Sequence, residues 1–82
     1  MENLKELSIN GLAEEIKKDW KNVNFGAKPY LEAMLEIRRI TDSYYQDSAK
    51  SVVLYFLANA STWKGETAKV VKTELKLRCK TA

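Results

Sequence analysis

The stretch from Ser48 to Trp63 constrains this chain of 82 residues more than any other part of it. Wound at about 100° per residue, Ala49, Val52, Val53, Phe56, Ala60 and Trp63 fall on one stripe, and Leu54, Leu57 and Ala58 widen it. Ser48, Ser51, Tyr55, Asn59 and Thr62 make up the remaining strip, and all are small or mildly polar. A helix that is apolar around most of its circumference belongs inside a domain. The expected fold is therefore all-α, a compact four-helix domain with a central apolar helix at about 48–63 and the other segments packed around it.

The rest of the chain supplies three more helices. Ser8 is a suitable N-cap for a first helix at roughly 9–22, in which Ile9, Leu12, Ala13, Ile16 and Trp20 recur at helical spacing. Asn22 to Gly26 is a turn by composition, with Val23 and Phe25 expected to tuck beneath it. Pro29 suits the first turn of a second helix at roughly 28–40, whose inner face is Tyr30, Ala33, Met34, Ile37 and Ile40. After a loop carrying Tyr44 and Tyr45, Asp47 is expected to cap the central helix. Gly65 then gives a very short join to a last helix at 65–79, with Ala68, Val71, Leu75 and Cys79 on its inner stripe. Residues 1–7 read as a loose lead-in to a single domain spanning 1–82.

Size and composition narrow the function classes. Apolar residues at 45% and charged residues at 30% describe a globular chain. So short a chain buries a modest fraction of its surface, which makes self-association as a homodimer a natural remedy. The single cysteine, Cys79, leaves no internal disulfide or multi-cysteine metal site and fits a reducing compartment. The polar amino terminus and the absence of a long apolar run lead to the expectation of a cytoplasmic protein away from membranes.

Catalysis has little to work with. There is no histidine, so the commonest general base and metal ligand is missing. No glycine-rich phosphate loop or nucleophile elbow is present. Arg78 and Lys80 flank Cys79 and favour its thiolate, but its place on the apolar stripe makes it a core or interface residue. We expect no enzyme activity, no cofactor and no metal.

Two surfaces stand out. Residues 64–82 carry six basic and two acidic residues, against eight and nine in residues 1–63. Lys69, Lys72, Lys76 and Lys80 recur at steps of three and four, with Lys64 just upstream, and as a ridge they suit nucleic-acid phosphates. Exposed aromatics for base stacking are not interleaved with them. The tight join before the last helix also carries a faint helix-turn-helix pattern. The second surface, Tyr44, Tyr45, Tyr55, Asn59 and Thr62, reads either as a plain exposed edge or as a protein interface. Within it the Asn59 amide bonds Tyr55 one turn back, a loop carbonyl, or its twin across a dimer seam.

Residues 23–34, Val-Asn-Phe-Gly-Ala-Lys-Pro-Tyr-Leu-Glu-Ala-Met, and residues 55–68, Tyr-Phe-Leu-Ala-Asn-Ala-Ser-Thr-Trp-Lys-Gly-Glu-Thr-Ala, resemble a small family of helical proteins carried by phages and other mobile elements of low-GC Gram-positive bacteria. The resemblance spans most of residues 8–77 and brings no activity with it. It implies that Phe25-Gly26, Pro29-Tyr30 and Asn59 to Gly65 are characteristic positions. The functional expectation is an accessory or regulatory protein acting through protein–protein contact, with nucleic-acid binding by the basic last helix as the alternative.

Overall fold

The structure is a computed structural model and describes residues 4–81. Residues 1–3 of the expected lead-in lie outside the described residues. A single turn of 3-10 helix at Leu4–Glu6 precedes four helices: α1 (Ile9–Asp19), α2 (Lys28–Met34), α3 (Ala49–Ala58) and α4 (Glu66–Thr81). Between α2 and α3 lies a two-stranded antiparallel hairpin, β1 (Ser43–Tyr44) with β2 (Asp47–Ser48), in which Ser43 pairs with Ser48 and Tyr44 with Asp47. The chain is thus mostly helical but not strictly all-α.

Buried residues follow the helical stripes closely. Ile9, Leu12, Ala13, Ile16 and Trp20 from the first segment are buried, as are Ala68, Val71, Leu75 and Cys79 from the last. So are Ala49, Val52, Val53, Phe56, Ala60 and Trp63 from the segment around α3. The helices close a ring in which α1 and α3 each pack mainly on α2 and α4. The molecule measures 30 × 28 × 19 Å, so its short axis is about two helix diameters.

The ring corrects the expectation of a central rod, because α3 is one wall of four. Leu54, Tyr55 and Ala58, expected to widen the apolar face or edge it, are exposed, and Leu57 is half-buried. The core lies between the helices and takes only one side of each.

Helix ends depart from the expected bounds wherever a tertiary hydrogen bond competes. The N-cap of α1 is Ser8, as expected, and its hydroxyl accepts from the Gly11 amide. The segment expected to be helical to residue 40 leaves α2 after Met34. There the amides of Glu36 and Ile37 reach back only three residues, to Ala33 and Met34. The Asp42 carboxylate accepts from the Arg38 and Arg39 amides. The Arg38 carbonyl then receives the first amide of α1, from Ile9, at 2.9 Å. That exit lets Ile37 stay buried while the chain changes direction.

The segment expected at 48–63 is helical only over Ala49–Ala58. Its cap is Ser48, not Asp47, which lies in β2. The Asn59 amide is shared among the carbonyls of Tyr55, Phe56 and Leu57, and the chain then leaves the helix. Residues 59–65 form a seven-residue connection in place of the expected tight join. This is longer than the three- or four-residue turn of a helix-turn-helix. Gly65, at φ +113°, ends the connection in a conformation that side chains rarely adopt. In the hairpin turn Tyr45 takes a positive φ of 57°, a backbone position that tight hairpin turns require.

Trp63 occupies the meeting point of these elements. Its ring stacks on Trp20 at 5.7 Å and meets Phe56 edge-on at 6.4 Å. Its indole N–H donates to the Asp19 carboxylate at 2.8 Å. Truncating a buried tryptophan to alanine costs about 3–5 kcal/mol, and losing the indole donor alone costs about 1–2 kcal/mol. Urea unfolding is therefore expected to rank the proteins wild type, Trp63→Phe, Trp63→Ala in falling stability, with the second step the larger.

Candidate functional site

The outer side of α4 carries the basic residues that the sequence singles out, but it divides them. Lys69, Lys76 and Lys80 are exposed and share one line with Thr73. Lys64 is exposed in the connection before the helix. Lys72 is different: it lies about 60° around the helix from Lys69, on the side of buried Ala68 and Cys79. Its ammonium donates to the carbonyls of Ala60 and Trp63, each at 2.7 Å, and lies 5.7 Å from the centre of the Trp63 ring. Burial first, and then the charges of Lys76 and Lys64, lower its pKa from the ordinary lysine value of 10.5. Lys72 thus holds the connection after α3 against α4, and the exposed ridge consists of Lys69, Lys76 and Lys80.

An open groove of about 610 Å³ lies beside this ridge. Lys50 and Leu54 of α3 line it together with Thr73, Lys76, Leu77, Cys79 and Lys80 of α4. Its apolar members Leu54 and Leu77 are 46% and 47% exposed. Leu54 is expected from the sequence to widen the inner stripe, but hydropathy alone does not say which flank of a helix a neighbour covers. Lys50, in the first turn of α3, carried no signal until α4 was placed beside it.

Cys79 borders the groove but is itself buried. Desolvation raises its pKa above 9.0, and nearby Lys50 offsets part of that effect. The thiol is held protonated and is not an activated nucleophile. The lowering expected from its sequence neighbours does not arise. Arg78 turns away to bond the Glu74 carboxylate at 2.7 Å and the Leu4 carbonyl at 2.9 Å, tying the N-terminal turn to α4.

The second surface lies where α2 meets α3. Tyr55 is half-exposed and its ring stacks on Tyr30 at 5.4 Å. Of the three routes open to the Asn59 amide, the chain uses the nearest: its nitrogen donates to the Tyr55 carbonyl at 2.8 Å. Thr62 is exposed in the connection after α3. Tyr44 and Tyr45 sit apart from this group, on the hairpin. Tyr44 packs against the core and Tyr45 is turned to solvent, their rings meeting edge-on at 4.7 Å. Desolvation, followed by the negative charges around it, chiefly Glu36, raises the Tyr44 phenol above 10.0.

Phe25 overturns its expected burial. It is 95% exposed, while Val23 packs against the core. The loop that carries it is braced on both sides. The Asn24 side chain accepts from the Ala27 amide at 2.9 Å and donates to the Asn59 carbonyl at 3.0 Å. Gly26 lies so close to Asn59 that an added Cβ would fall 2.8 Å from its side-chain oxygen. With Gly26 against α3, the preceding side chain faces outward. Lys28, Pro29 and Glu32 line the hollow beside it.

Among the described residues, no three His, Cys, Asp or Glu side chains are grouped to hold a metal ion, and no helix is long and apolar enough to cross a membrane. No protein-family model, curated protein or solved structure matches the chain.

The division of the lysines has a direct consequence for stability. Lys72→Met removes a charge-assisted donor from two carbonyls and is expected to lower stability by about 1–2 kcal/mol. Lys76→Met is expected to change it by less than about 0.5 kcal/mol, as for other exposed positions. Paired urea titrations of the two variants check the contrast.

Proposed function

We propose that this chain is a non-enzymatic accessory or regulatory protein of the cytoplasm that acts through protein–protein contact and self-associates as a homodimer. One observation supports this above the others: a phenylalanine held almost wholly in water by a braced loop. Burying such a side chain is worth about 1.5–3 kcal/mol, so a loop fixed to present it favours a partner that covers it. The stacked pair Tyr30 and Tyr55 adds a partly exposed aromatic surface where α2 meets α3.

The charges beside Phe25 suit a second copy. Lys28 and Glu32 line one hollow with Phe25 and Pro29. A twofold seam places each residue of one copy opposite its counterpart's neighbours, so Lys28 of one protomer can face Glu32 of the other. Sedimentation velocity over a concentration series is expected to show a dimer for the wild type. Phe25→Ser is expected to give a monomer with unchanged helical content. A wild type that stays monomeric throughout, or a dimer indifferent to Phe25→Ser, rejects self-association on this face.

A second reading draws on the basic line Lys69, Lys76 and Lys80, with Lys64 upstream and the Thr73 hydroxyl between them. Such a line can neutralise phosphates without reading sequence. A phosphate binder retains duplex DNA in a gel shift at low salt and loses it steeply as salt rises. The charge reversals Lys69→Glu and Lys76→Glu are then expected to abolish retention. No shift at low salt removes this reading.

A further inference from the structure

We infer that the groove between α3 and the C-terminal half of α4 docks a short amphipathic helix of another protein, one whose apolar stripe is flanked by acidic residues. The inference rests on the wider reading that the chain acts through protein contact and names the partner's chemistry at a second face. The groove has an apolar floor, with Leu54 from α3 and Leu77 from α4, and three lysines around it. No carboxylate lines it. Among the described residues none of Lys50, Lys76 and Lys80 forms an ion pair.

This combination selects among occupants. A nucleic-acid backbone would engage the lysines but leave Leu54 and Leu77 uncovered, and no aromatic ring is present to stack a base. A second copy docking symmetrically would bring the three lysines toward their own counterparts, and like charges brought together at an interface oppose association. An apolar stripe between carboxylates meets both parts of the site at once. The lining residues of α4 run from Thr73 to Lys80, a rise of about 10 Å. That length accepts two turns of a helix, with anchors spaced i, i+3 or i+4, and i+7.

The test is a yeast-displayed library of amphipathic helices selected against the whole chain. Leucines are fixed at the anchor positions, and the flanking positions are free to be Glu, Gln or Lys. Selection is expected to enrich Glu at the flanks. The enriched helices should bind at least about tenfold more weakly to Leu54→Ser or Leu77→Ser. They should also lose binding to the triple variant Lys50→Glu, Lys76→Glu, Lys80→Glu. Selection against that variant should enrich Lys instead. All the substituted positions are exposed, and circular dichroism verifies that each variant keeps its helices. Enrichment of Gln or Lys by the wild type, no enrichment at all, or binders indifferent to Leu54→Ser overturn the inference. So does nuclear magnetic resonance showing that duplex DNA or phosphatidylserine vesicles, and not the helices, perturb the amides of Lys50, Leu54 and Leu77. Any of these outcomes beside an intact Phe25-dependent dimer rejects the groove's occupant alone. Loss of both results rejects the wider reading.

Discussion

Three helices meet on the side chain of Trp63, which belongs to none of them. Its ring lies on Trp20 at the end of α1 and against Phe56 of α3, and its N–H is held by Asp19. Lys72 of α4 bonds the Trp63 carbonyl and lies over the ring. This contact dictates the path of the chain. To reach Trp20 the backbone must leave α3 before residue 63, and it does so at Asn59. The seven-residue connection, the inward turn of Lys72 and the positive φ at Gly65 follow from that requirement. The buried stripe of α4 packs it on α1 and α3, and the aromatic cluster with its charged lid is the joint at its first turns.

The buried face of each helix was legible in the sequence because it depends only on spacing. Three of the four stripes, those of α1, α3 and α4, proved buried at every position expected of them. Helix ends were not legible, because long-range hydrogen bonds decide them. The end of α2 depends on Arg38 meeting Ile9, and the end of α3 on Asn59 meeting Asn24. Neither partner is visible from within its own segment. The hairpin was missed for a related reason: it has two residues per strand, too few for any alternation to show.

The candidate sites were legible only in part. The basic face of α4 could be read as a repeat of lysines, but a step of three moves a residue about 60° around the helix. For Lys72 that is enough to carry it from solvent to the Trp63 joint. For Phe25 hydropathy points inward while the backbone geometry points outward. Its neighbour Gly26 packs against Asn59, and the Phe25 side chain before it is left in solvent. The glycine was the signal, since the close approach it permits leaves the phenylalanine outside.

Leu54 and Tyr55 are adjacent in sequence, yet they open on different flanks of α3, one toward α4 and the other toward α2. An exposed leucine by itself carries no message, since much of any folded surface is apolar. What gives an exposed apolar face its meaning is the charge around it. The hollow beside Phe25 offers both signs, through Lys28 and Glu32, and so can complement itself. The Leu54 side offers only cations, and so repels a copy of itself. The long lysine stems also shelter apolar surface while their ammonium groups stay in water. Lys50, Lys76 and Lys80 can therefore keep Leu54 and Leu77 soluble when the groove is empty and still choose an acidic occupant when it is filled. The same three side chains then guard the free protein against unspecific contact and set the sign of the specific one.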